Sequence, residues 1–170
     1  MSALRLRTVD LDNHAEFRHL RLMYLHVQMT DVRVSDNWHY LFPFGQAEFY
    51  RQKLRAREME LAADNKVAFV ETPQDGIIGF VAAKGKTKTF GDDTGGLDQI
   101  YIAPAQRGRG HGGAVLARVE EFFCVRGCRR AALITAQRNF PARHLYEAAG
   151  WHADRPAMAG YEFWLKDLRR

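Results

Sequence analysis

The stretch Ile100-Tyr101-Ile102-Ala103-Pro104-Ala105-Gln106-Arg107-Gly108-Arg109-Gly110-His111-Gly112-Gly113 decides how this chain folds. It sets four glycines within six residues, between an apolar run and an apolar periodic segment. Residues 97–102 read as a strand, with Leu97, Gln99 and Tyr101 on one face and Asp98, Ile100 and Ile102 on the other. Val115, Leu116, Val119, Phe122 and Phe123 then trace one face of a helix that Gly127 can end. Glycine lacks a Cβ, so backbone N–H groups can converge at the joint and a ligand can come close. The N-terminal end of the helix adds partial positive charge, and Arg107 and Arg109 supply charge-assisted donors. A joint of this kind is an anion cradle suited to phosphate.

Working outward, residues 4–9 alternate as a half-buried strand should. Asp12 or Asn13 can cap a helix in which Phe17, Leu20, Tyr24 and Leu25 fall at helical spacing. Residues 30–45 read as an irregular, aromatic-rich connection with Trp38, Tyr40, Phe42 and Phe44 around Pro43. The Glu, Arg, Ala and Leu of residues 46–63 predict a second helix. Residues 66–71 and 77–83 form a hairpin pattern around Pro73, Asp75 and Gly76, and residues 84–96 read as a flexible loop. Downstream, residues 131–136 are a short apolar strand. Asn139 caps a helix through Ala149, Gly150 stops it, and residues 161–165 make a last strand. The expected order is β-α-α-β-β-β-α-β-α-β in one domain over residues 1–170. That is an α/β (α+β) fold, a mixed and mostly antiparallel sheet flanked by helices.

The chain has 170 residues, 46% hydrophobic and 26% charged, with net charge +5 and a pI near 9.4. These proportions suit a globular domain and exclude a disordered chain, a fibre or a disulfide scaffold. The charge is unevenly spread. Residues 1–98 carry 13 Lys+Arg against 14 Asp+Glu, whereas residues 99–170 carry 12 against 6. Eight arginines lie in residues 105–143, with only Glu120 and Glu121 opposing them. The basicity is therefore a local site, not a coat, which disfavours nucleic acid or a membrane surface as partner. Cys124 and Cys128 are too few for a disulfide framework or a metal site, so no metal is expected. The N-terminus lacks the apolar core of a signal peptide, and no run reaches the ~20 apolar residues of a membrane span. A cytoplasmic protein is the expectation.

The motif's context narrows the phosphate ligand. No G-K-S or G-K-T is present, so a Walker P-loop is excluded. Gly108, Gly110 and Gly113 satisfy G-x-G-x-x-G, but no Asp or Glu occurs between Phe122 and Tyr146 to hold a ribose, and residues 103–106 intervene where a dinucleotide fold turns tightly. The same residues resemble another pattern. Arg107-x-x-Gly110-x-Gly112 is similar to the R/Q-x-x-G-x-G/A signature of GNAT-family N-acetyltransferases. Downstream, Asn139-Phe140-Pro141-Ala142-Arg143-His144-Leu145-Tyr146-Glu147-Ala148-Ala149-Gly150-Trp151 resembles the family's N-x-x-A-x-x-x-Y-x-x-x-G-F helix, with Trp in the Phe place. The close resemblance covers residues 97–151.

The resemblance implies an acetyl-CoA-dependent enzyme. Amides of Gly110, His111 and Gly112, with Arg107, Gly108, Arg109 and Gly113 around them, would hold the pyrophosphate. The pantetheine would lie between the strands of residues 97–102 and 131–136, along Ile100 and Ile102, with a main-chain N–H near Ile102 facing the thioester oxygen. An acceptor amine then attacks the acetyl group directly. Tyr146 matches the family's tyrosine and is the candidate acid for the leaving thiolate, although its helix face also suits a core tyrosine. Asp98 is the candidate base, with a strand-start capping role as the alternative; Glu71 and His111 are weaker candidates. Arg138 or Arg143 could reach the 3′-phosphate, whereas Arg118 and Arg126 read as solvated charges. Asn139 is a helix cap that would also lie near the pantetheine arm.

The acceptor would be a small-molecule or peptide amine, enclosed by the connection that carries Asp31, Asp36, Trp38, His39, Tyr40, Phe42 and Phe44. Those aromatics could equally pack helices on the sheet. A catalytically silent acyl-CoA-binding or sensor module of the same fold is the alternative function. Nucleic-acid binding through the arginine cluster and NADP binding rank below it. Exposed edge strands leave room for a homodimer.

Overall fold

The computed structural model describes residues 4–35, 65–86 and 90–168. The expected second helix and most of the aromatic connection lie outside the described residues. The elements are β1 (Arg5–Thr8), α1 (His14–Ser35), β2 (Asn65–Thr72), β3 (Gly76–Lys84), β4 (Thr94–Ile102), a 3-10 turn (Pro104–Gln106), α2 (His111–Val125), β5 (Arg130–Ala136), α3 (Phe140–Ala148), β6 (His152–Pro156) and β7 (Tyr161–Asp167). They build a seven-stranded sheet in the order β1-β2-β3-β4-β5-β7-β6. All neighbours pair antiparallel except β4 and β5. No helix among the described residues is long and apolar enough to cross a membrane.

The α1 N-terminus uses one of the two expected caps. Asn13 Oδ1 accepts hydrogen bonds from the amides of Ala15 and Glu16 at 3.0 and 3.3 Å, satisfying donors that the first turn leaves open. Phe17, Leu20 and Met23 are buried against Phe69, Phe80 and Tyr101 on one side of the sheet. The helix runs on to Ser35, where the sequence reads as irregular from residue 30. Val32 and Val34 are weak helix formers, but extending an existing helix adds one hydrogen bond per residue fixed, with no new nucleus to form.

The opposite side holds the larger core. Val115, Leu116, Val119, Phe122 and Phe123 of α2 are all buried there, as their spacing requires. Gly127 ends α2 with φ 73°, and Cys128 N donates to Phe123 O at 3.0 Å. Trp164, 1% exposed, centres the β5–β7 half. Glu120 of α2 accepts from Trp151 Nε1 at 2.9 Å and Lys166 Nζ at 2.7 Å, tying α2 to the end of α3 and to β7.

Three further expectations change. The loop expected over residues 84–96 ends early: Thr94, Gly95 and Gly96 are buried strand residues of β4. Their lack of apolar side chains hid them, and Gly95 is bare because a Cβ there would come within 2.3 Å of the Phe123 ring. The two-face alternation expected for residues 97–102 is broken by a bulge. Ala82 pairs with Gln99 and Ala83 with Leu97, so Asp98 is left out of register. Leu97 consequently packs in the same cluster as Ile100 and Ile102, and Tyr101 in the other. Finally, β6 adds a strand that the sequence reading lacks. Every residue of it is exposed, so it carries no apolar period to read.

Candidate active site

The parallel pairing of β4 with β5 is short. It runs from Thr94–Arg130 to Leu97–Leu133 and stops. Beyond the Asp98 bulge the strands part, and residues 99–102 keep a partner only on the β3 side. The two strands are held together at the closed end by Asp93. Its carbonyl accepts from Arg129 N and Arg130 N at 2.7 and 3.3 Å, and its Oδ1 faces the Arg130 guanidinium at 3.1 Å. Pairing with Arg130 holds the Asp93 carboxyl below the usual carboxylate range.

Where β4 and β5 separate, a cavity of about 530 Å³ opens between them. Its size falls in the roughly 300–1,000 Å³ typical of small-molecule sites. The floor comes from β4 and from Leu133, Ile134 and Thr135 of β5, and one wall from Ala142, Leu145 and Tyr146 of α3. At the mouth stands the glycine loop. Gly108 has φ 75° and Gly110, which caps α2, has φ 81°, so both need the left-handed backbone that glycine adopts at little cost. Gly112 is bare for a different reason: a Cβ there would press on both Leu145 methyls at 3.1 Å, where α2 meets α3. Above Gly108, Gly110 and Gly113 a Cβ would meet nothing within 4 Å, so the space over the loop is open. The first-turn amides of α2 lack intrahelical acceptors and lie at this mouth.

The structure brings most of the sequence-derived residues together. Asp98, Ile100, Ile102, Arg107, Gly108, Gly110, His111, Gly112, Gly113, Asn139 and Tyr146 all line the cavity. Tyr146, 6% exposed, is both a core and a cavity residue, with its ring centroid 6.2 Å from Trp151 and 5.9 Å from Trp164. Asn139 caps α3, its side chain accepting from Ala142 N at 3.4 Å, and still lines the cavity. Arg107 serves the loop itself, donating from Nε to Ile102 O at 2.9 Å. Asp98 Oδ2 stands 3.0 Å from Lys84 Nζ.

Other candidates fall elsewhere. Arg109 is exposed on the loop and outside the lining. Arg143 is also outside the lining, with Nε 3.0 Å from Glu162 Oε1 and a hydrogen bond to Gln137 O at 3.1 Å. Glu71 is bound by Arg7 at 2.7 Å, two strands from the cleft. Arg118 pairs with Glu121 on the exposed face of α2, and Arg126 lies 3.9 Å over the Phe122 ring. Among the described residues no cluster of metal-ligating side chains occurs. Trp38, His39, Tyr40, Phe42, Phe44 and Asp36 lie outside the described residues. The sequence reading missed Tyr101, Gln99, Thr135 and Tyr161 as lining residues. Only Tyr101 had a signal, a phenol one residue before the end of a strand leading into the glycine loop.

The chain belongs to the acetyltransferase (GNAT) family, whose model matches residues 29–151. No curated protein sequence matches it. Solved structures with a similar fold include an acetyltransferase from Thermus thermophilus, 18% identical with a TM-score of 0.73 over 99% of this chain and all of that one. Spermidine N-acetyltransferase from Vibrio cholerae, in complex with CoA and spermine, is 18% identical with a TM-score of 0.70, covering 97% of this chain and 95% of that one. The Salmonella typhimurium protein yncA, with acetyl-CoA, is 16% identical with a TM-score of 0.71, covering 98% and 95%.

Proposed function

We propose that the protein transfers an acetyl group from acetyl-CoA to a primary amine by direct attack in a ternary complex. The observation that carries this reading is the cleft between β4 and β5, with the glycine-capped N-terminus of α2 at its mouth. The residues present fit the coenzyme. Open space over Gly108, Gly110 and Gly113 leaves room for a pyrophosphate against the α2 amides, with Arg107 and His111 beside it. The free edge of residues 98–102 offers main-chain groups to a pantetheine arm, as an added strand would find them. The coenzyme contributes an acetyl group on a thiolate leaving group.

The chain's own residues would do the rest. A main-chain N–H at the free edge of β4 near Ile102 stabilises negative charge on the carbonyl oxygen as the amine adds. Tyr146 protonates the departing sulfur. Asp98 has one carboxylate oxygen taken up by Lys84, which suits a part in holding the bulge that opens the cleft. Asn139 sets the start of α3 and so the height of Tyr146 above the floor.

A panel of amines that includes polyamines, aminoglycosides, amino acids and peptides, assayed for acetyl-CoA-dependent thiol release, tests the reading. Thiol released in step with acetylated amine is the expected result. Tight acetyl-CoA binding with no thiol release from any amine would make the protein a silent acyl-CoA-binding module.

A further inference from the structure

Tyr101 and His26 meet on the α1 side of the cleft. The Tyr101 hydroxyl lies 2.9 Å from His26 Nδ1, and their ring centroids are 5.8 Å apart. Tyr101 is 6% exposed and packs on Phe80 at 6.0 Å, yet it lines the cavity, as does Val27, the neighbour of His26 on α1. His26 itself is exposed. A polar route therefore leads from the inside of the cleft, through one phenol, to an imidazole in contact with water.

Direct transfer from a thioester needs such a route. The attacking amine carries a proton that it must lose, and the cleft has to deliver that proton to solvent. Resting on the acetyl-transfer reading above, we propose that Tyr101 and His26 relay the proton of the acceptor amine. The amine nitrogen bonds to the acetyl carbon, and the C–S bond breaks with its electron pair going to sulfur, which takes a proton from Tyr146. The Tyr101 oxygen accepts one proton from the amine nitrogen while its own hydroxyl proton passes to His26 Nδ1. The imidazolium then loses a proton to water, and water returns one to Tyr146. The products are an amide and a free thiol, with both tyrosines as they began.

Tyr101 cannot serve as a base alone. Burial raises its pKa, with the Arg107 guanidinium opposing the shift, so the phenol stays protonated and takes up a proton only by giving one away. An imidazole is the side chain suited to receive it near neutral pH. Among the described residues, the charged and titratable groups around the pair are placed as follows. The Arg107 guanidinium lies 5.9 Å from the Tyr101 ring centroid on the loop side. On β4, Asp98 is paired with Lys84 of β3. His111 of α2, Tyr146 of α3 and Tyr161 of β7 line other parts of the cavity, and Arg130 of β5 is at the closed end with Asp93. In this arrangement Tyr101 touches the substrate amine, and His26 is a positioning residue that acts through it.

The test is the pH dependence of kcat at saturating acetyl-CoA for the native protein, His26→Gln, Tyr101→Phe and the double variant. Glutamine keeps an acceptor for the phenol but takes up no proton. General acid–base groups contribute roughly 100-fold or more to rate, and water can substitute in part, so about a tenfold loss or more near neutral pH is expected for either single variant. His26→Gln should also lose the acidic limb of the profile, with the KM for acetyl-CoA unchanged. The double variant should be no slower than the worse single, because both residues serve one path. A native acidic limb in His26→Gln, or losses that multiply in the double variant, would overturn the relay alone. Native protein that turns over no amine would overturn the relay together with the acetyl-transfer reading.

Discussion

Tyr146 shows how one side chain can meet two demands. Its ring fills the core between Trp151 and Trp164, while its position on α3 brings it to the cavity wall. The helix face of Ala142, Leu145 and Tyr146 made a core position legible, but nothing in the residues themselves showed that the same ring also reaches the cavity. Tyr146→Phe keeps the ring and removes the hydroxyl. It should lower kcat by about 10- to 100-fold while the acetyl-CoA dissociation constant stays the same, as measured by steady-state kinetics beside calorimetric binding. An unaltered kcat would end the acid role. The arginines teach the reverse lesson. Their number is what led to the expectation of an anionic ligand, yet Arg143 is spent on Glu162 and Gln137, and Arg107 partly on Ile102.

Among the elements, β4 does most to make the site. Three features of it have separate physical causes. Its buried start passes close beneath Phe123 and needs the bare backbone of Gly95. Its bulge at Asp98 switches which residues face which core. Its free end forms the floor of the cleft. Asp93 pins the junction just before it to β5, and the ion pair with Arg130 is sensitive to acid. Because the folded carboxyl titrates below its usual value near 3.8, the stabilisation is present above that pH and is lost as the pH falls through the folded value. Asp93→Asn should therefore lower the melting temperature at pH 7, with the difference from native protein shrinking towards about pH 2. A difference that persists undiminished at low pH would show that the pair contributes nothing by its charge.

For the molecule as a unit, the net charge of +5 is explained by where it lies. The surplus falls in the half that carries the glycine loop, α2 and α3, and the half that carries α1 and the β2–β3 hairpin is close to neutral. A ligand that binds only the folded state raises stability by about 2.7 kcal/mol at 100 times its dissociation constant. At about 2–4 °C per kcal/mol for a chain of this length, acetyl-CoA should raise the melting temperature by roughly 5–11 °C. NADPH should leave it unmoved, because the loop lacks the acid and the tight turn of a dinucleotide site. Equal protection by both would mean that the loop reads only phosphate charge.

The sequence by itself determined the strand–glycine–helix joint, the cap at Asn139, the pair Asp12 and Asn13 from which the α1 cap comes, the buried face of α2 and the order of most elements. These depend on residues near one another in the chain, where period, missing Cβ atoms and capping side chains have local consequences. The tertiary structure decided the rest. The length of the β4–β5 pairing, and so the cleft itself, depends on two strands that meet only after α2 has crossed between them. The bulge at Asp98 depends on register against β3, and β6 depends on β7 for its pairing, since its own residues bury nothing. Tyr101 and His26 are 75 residues apart in sequence and meet only because α1 packs across β4. A contact of that kind leaves no trace in local pattern, because each residue alone has an ordinary reason to be where it is.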